Sequence, residues 1–194
     1  IIDLHLPHAS FGIPAYYLIS SSEASSNLAR YDGVRYGHRS KKEERGVLAD
    51  FYKANRSEGF GDEVTRRILL GTFSLSAGYY EAFYTKACQV RALVAQDFRE
   101  AFASCDLIAS PVTPTTAFSL GEKIDDPIQM YKNDLLTIPA SLAGLPSMSL
   151  PLGLDENSLP IGLQLTGSGF SDAGLVQMAL SIEEMIGFKE VCYA

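Results

Sequence analysis

The feature that most limits how this chain can fold is a stripe of apolar residues spaced mostly three or four apart. It comprises Phe73, Tyr80, Phe83, Tyr84, Ala87, Val90, Leu93, Val94, Phe98 and Phe102, with Arg91, Gln96 and Arg99 largely opposite. That spacing belongs to a helix with one buried face. It predicts a helix that begins at Asp62 and continues from Phe73 to Phe102, the longest in the chain. Gly78 is its weak point, since glycine either loosens a helix or permits close packing. Directly after the stripe, the apolar run Leu107 to Val112 leaves through Thr113-Pro114-Thr115-Thr116 and reads as a buried strand. A helix feeding a strand points to an α/β fold.

Other segments carry local signals. Pro7, Gly12 and Pro14 precede Tyr16-Tyr17-Leu18-Ile19, which predicts extended chain leading into a short buried element. Ser20, Ser21 and Ser22 stand before Glu23, Ala24 and Leu28, the pattern of a serine cap opening a helix. Asp32-Gly33 and Gly37 mark turns, and His38 to Gly46 is polar enough for a surface loop. Val47, Leu48, Phe51 and Tyr52 have helical spacing, closed by Gly59 and Gly61. A further helical pattern runs from Pro127 to Leu142, interrupted near Pro139. Met148 to Leu152 and Pro160 to Gly167 form a hairpin pattern across the polar turn Asp155 to Ser158, and a last helix covers about Ser171 to Met185.

With 194 residues, 46% hydrophobic and 20% charged, the chain can build a real core, and neither disorder nor a coiled coil fits. The net charge of −7 and the lack of a basic arm argue against a broad autonomous nucleic-acid surface. The longest apolar runs fall far short of the roughly 18 residues a membrane span needs, and the first residues do not have the order of a signal peptide. Cys88, Cys105 and Cys192 form no CxxC pair, so a reducing compartment, cytoplasmic or an organelle matrix, is expected.

Few residues offer chemistry. His5, His8 and His38 have no serine or cysteine partner at a motif spacing and read as exposed or structural. No GxSxG elbow or P-loop occurs, and Gly167-Ser168-Gly169 reads as a turn. Two features resist a purely structural reading: the pair Arg66-Arg67 in an otherwise apolar helix, and Asp134 within Tyr131 to Leu136. A guanidinium suits bidentate recognition of a carboxylate and a carboxylate suits an ammonium, so the two together would suit an α-amino acid. An ion pair tying two helices is the commoner use of such residues.

These residues lie among longer motifs. Ala15-Tyr16-Tyr17, the run from Ser22 to Gly37 (SEASSNLARYDGVRYG), Arg56 to Gly61 (RSEGFG) and Leu75 to Tyr80 (LSAGYY) resemble the tRNA-linked amidotransferase branch of the amidase-signature family. The resemblance continues through Asp125-Asp126-Pro127, Asn133-Asp134, Leu142 to Pro146 (LAGLP) and Pro160 to Gln164 (PIGLQ). It implies an α/β fold with a mixed β-sheet covered by helices, of which residues 1–194 would be the C-terminal segment of one domain, the N-terminal part of the fold being missing. It also implies a reaction carried by a serine nucleophile, a second serine and a relay lysine. None of the three has a match here, so no catalytic residue is assigned and the chain alone is expected to be inactive.

The resemblance further implies that Arg67 takes the α-carboxylate of glutamine, Asp134 its α-ammonium, and Tyr16 or Tyr17 a wall of the pocket, with Arg66 one register step from Arg67. Released ammonia would serve transamidation of Glu-tRNA(Gln), or of Asp-tRNA(Asn). Other amidotransferase subunits would be partners, tRNA an indirect one, and ATP and magnesium would sit in a partner subunit, with no cofactor in this chain. Two alternatives are a fragment of an amidase that has no tRNA partner, and a catalytically incomplete binding or remnant protein.

Overall fold

A computed structural model describes residues 1–41, 47–121 and 130–188. The end of the predicted polar loop, the start of the helical pattern at Pro127, the Asp125-Asp126-Pro127 motif and Cys192 lie outside the described residues. The chain divides into two compact units, one of Ile1–Tyr16 with Gln89–Ala194 and the other Tyr17–Cys88.

In the first unit, three strands follow from three short apolar runs. β1 (Leu107–Pro111), β2 (Ser147–Leu154) and β3 (Pro160–Gly167) form a sheet in the order β1-β3-β2, with every pairing antiparallel. Any parallel pairing of the expected mixed sheet lies outside these strands. Leu107 pairs with Gly167 and Ser110 with Gln164, while Ser149 meets Gln164 from the other side. The register slips between Pro151 and Gly153, where proline has no N–H to give to a ladder.

Alternation along the strands separates two faces. One face gathers Leu150, Leu165, Leu175 and Ala179 against α6 (Asp172–Ile186), with Leu107, Met148, Leu163 and Ile182 around them. Leu165 is fully buried, and one such side chain contributes about 2 kcal/mol. A second cluster joins Val94 and Phe98 of α4 (Lys86–Ala101) to Ala140 of α5 (Ile138–Ala143), with Leu6 and Ile108 packed on it. Pro139 stands in the first turn of α5, where a missing N–H costs nothing. It therefore starts a helix rather than interrupting one. Gly144 closes α5 in the left-handed conformation at φ 70°.

The hairpin turn forms as expected. Asp155 Oδ1 accepts the backbone N–H groups of Asn157 and Leu159, both at 2.8 Å, and Oδ2 accepts the Thr116 hydroxyl at 2.7 Å.

The second unit departs from the sequence reading in two places. The serines do not open a helix: α1 (Gly12–Leu28) is already under way, after a 3₁₀ turn at Ala9–Phe11, and the predicted extended stretch ends there. Ser21 and Ser22 are instead buried on the α1 face that meets α3 (Asp62–Ser74). Ser22 Oγ donates to the Leu18 carbonyl at 2.6 Å and lies 2.6 Å from Ser74 Oγ; Ser25 Oγ lies 3.0 Å from Thr72 Oγ1. Gly71 makes this approach possible, since a Cβ there would stand 2.0 Å from the Ser21 carbonyl oxygen.

The long helix is also broken. α3 ends at Ser74, a turn follows, and Glu81–Thr85 is wound as a π-helix before α4 begins. The Ser76 hydroxyl competes for the Phe73 carbonyl at 2.7 Å, and Gly78 takes φ 88°, outside helical geometry.

The loop after α1 is clamped to α2 (Leu48–Gly59) by Asn55. Its buried amide accepts from the Ser40 N–H at 2.7 Å and donates to the Asp32 carbonyl at 2.9 Å. Gly33, at φ 77°, passes so close that a Cβ would lie 2.5 Å from Asn55 Nδ2.

Two outcomes are expected. Gly71→Ala should destabilise the second unit by about 3 kcal/mol, because the obstacle is backbone and cannot rotate away; an unchanged urea midpoint would show that α1 and α3 separate at no cost. The Thr116 hydroxyl first, and the Leu159 and Asn157 N–H groups after it, hold Asp155 below the ordinary carboxylate range. A lowered acid stabilises fully above its unfolded value and loses that contribution as the pH falls through its folded one. In Thr116→Val, the Asp155 carboxyl followed by NMR should therefore titrate at higher pH than in the parent; an identical titration curve would remove the hydroxyl as the cause.

Candidate functional site

Arg66 and Arg67 leave α3 on its first exposed turns, one residue apart and thus about 100° apart around the helix. Glu63, one turn earlier, serves both. Its Oε1 accepts from Arg67 Nε at 2.9 Å, and its Oε2 accepts from Arg66 Nη1. Both of these ion pairs lie within α3, where the commoner use of such residues is a tie between two helices. Arg67 is the more buried, with its side chain 31% exposed against 50% for Arg66.

The Arg67 guanidinium carbon lies over the Tyr17 ring at 5.3 Å from its centre. A guanidinium on an aromatic face is held in plane and orientation. Two of the four predicted residues, Arg67 and Tyr17, are therefore brought together within the second unit. Tyr16 and Asp134 belong to the first unit. Tyr16 is half-buried on α1.

Asp134 is half-buried in a 3₁₀ turn, Lys132–Leu135, that leads into α5. Its carbonyl accepts from the N–H and hydroxyl of Thr137, both at 3.3 Å. The next carbonyl but one, that of Leu136, accepts from Gln164 Nε2 at 3.0 Å. Sequence reasoning misses two residues here. Glu63 carries a usable signal, an acid three and four positions before two arginines; Gln164 is visible only as part of PIGLQ.

Two of the histidines have structural duties. His8 donates its N–H to Asp97 Oδ2 at 2.7 Å and sets Nδ1 2.8 Å from Oδ1, satisfying a buried carboxylate. His38 Nε2 lies 3.0 Å from Glu58 Oε2. Burial, and after it Cys88 with Glu23 and Tyr80, pushes the Tyr84 phenol above its ordinary value, so it is protonated at neutral pH and is no base.

Residues 1–176 match the amidase family, and the chain belongs to it. Among curated relatives, the A subunit of the glutamyl-tRNA(Gln) amidotransferase of Zymomonas mobilis is 57% identical over 188 residues, and its counterpart from Brevibacillus brevis 53% over 186. The matches take in 97% and 96% of this chain but only 38% of each relative, so the chain spans well under half their length. The crystal structure of the same subunit from Thermotoga maritima superposes with a TM-score of 0.66 at 39% identity, over 95% of this chain and 34% of that one. A crystal structure of an amidase at 22% identity, with a TM-score of 0.67 over 94% of this chain and 37% of that one, shares the fold. Among the described residues no helix is long and apolar enough to cross a membrane.

Proposed function

We propose that this chain is the glutamine-binding portion of a glutamine-hydrolysing amidotransferase subunit that supplies ammonia for transamidation of Glu-tRNA(Gln) or Asp-tRNA(Asn). The observation that carries this reading is the oriented guanidinium of Arg67, stacked on Tyr17 and anchored through Nε to Glu63. Such a group takes an α-carboxylate through paired N–H donors. Asp134 takes the α-ammonium, and Tyr16 or Tyr17 walls the pocket.

The bond cleaved is the side-chain amide. Its attack falls to the family's serine, second serine and lysine, which have no match in these 194 residues, so the chain requires the rest of an amidase to act. Ammonia would then pass to companion subunits, which would hold the ATP and magnesium that supply activation of the acceptor on misacylated tRNA. The acidic net charge of −7 suits a subunit that leaves most of the tRNA to its partners, in the cytoplasm or an organelle matrix.

The test is a chimera of the Zymomonas mobilis relative carrying this chain in place of its own matching segment, assayed with its companion subunits. Arg67→Ala should raise the glutamine KM roughly tenfold to a hundredfold, the loss of a charge-assisted pair. Arg66→Ala should leave it within about twofold. An unchanged KM in Arg67→Ala sinks the assignment, and the reverse pattern moves the carboxylate to Arg66.

A further inference from the structure

The centre of the sheet holds a polar row on the face opposite α6. Ser110 of β1, Gln164 of β3 and Ser149 of β2 stand side by side in register, and residues directly opposite in an antiparallel pair share one face. Gln164 is the longest of them and is only 7% exposed. A buried amide on the middle strand is costly unless its hydrogen bonds are made. Its Nε2 makes two: a bond of 3.0 Å to the Leu136 carbonyl and a longer one of 3.4 Å to Ser110 Oγ.

Leu136 is the residue that ends the 3₁₀ turn bearing Asp134. Its carbonyl is one of the acceptors that a helix end leaves without an internal partner. Close packing does not fix the turn against the sheet at this place: Leu135, Leu136, Ser110 and Gln164 line a cavity of about 290 Å³. The amide reaches from the middle strand of the sheet, paired on both edges, to the carbonyl two residues beyond Asp134.

We infer that Gln164 is a positioning residue for glutamine binding, holding the Asp134 turn at a fixed height above β3 so that its carboxylate meets the substrate ammonium. This rests on the assignment of Asp134 proposed above. It predicts a KM effect without a comparable kcat effect, because the tie acts on ground-state binding and touches no reacting atom.

In the same chimera, Gln164→Met keeps the length and removes the donor, and Gln164→Glu keeps the shape but presents only acceptors to Leu136 at neutral pH. Each should raise the glutamine KM about tenfold, as expected for one lost buried hydrogen bond, with kcat within about twofold. Asp134→Asn, measured alongside, separates the two claims. If it leaves KM unchanged, the assignment of Asp134 falls and the inference with it. If it raises KM while both Gln164 variants keep the parental value, or if both fail to fold, Gln164 only stabilises the sheet and the inference alone is overturned.

Discussion

The pairing of β3 on both of its edges is the constraint from which the first unit is built. Because β1 and β2 hold it from either side, β3 has no freedom to slip, and a slip of one residue would turn Leu165 to the polar face and Gln164 to the apolar one. One side of that alternation secures α6 through Leu165, Leu175 and Ala179. The other side faces the Asp134 turn with an amide rather than a methyl group. The same strand thus supplies hydrophobic stability on one face and a directional tie on the other.

In the second unit a different principle holds α1 to α3. Their contact is made of small residues and hydroxyls, with Gly71 admitting the Ser21 carbonyl and Ser22 meeting Ser74. Backbones this close leave little room for adjustment, and Tyr17 and Arg67 sit on these same two helices. The stacking of guanidinium on ring is therefore set by the packing beneath it, with Glu63 fixing the remaining rotation of the side chain.

How much of this is legible in the sequence follows from how local each signal is. The β2–β3 hairpin, β1, α2 and α6 can be read because their period and turn residues lie within each segment. The break after Ser74 is legible only as the weak point at Gly78, since the apolar spacing continues through it while the Ser76 hydroxyl and the positive φ of Gly78 interrupt the backbone. The serines of α1 mislead for the opposite reason. Serine before an acid looks like a cap until a glycine on another helix gives those hydroxyls a buried face. Arg67 with Tyr17 is legible through the resemblance, while Gln164 is silent because its partner, Leu136, lies 28 residues away.

The bond between His8 and Asp97 spans 89 residues. Ribosomal synthesis runs from the N-terminus, so His8 emerges long before the carboxylate it satisfies, and β1 emerges well before β3. Closing such long loops is entropically slow. The order of production consequently favours early formation of the helical unit, whose main contacts lie within residues 17–88. The sheet unit, which joins residues 1–16 to residues from 89 onward, has the longer loops to close.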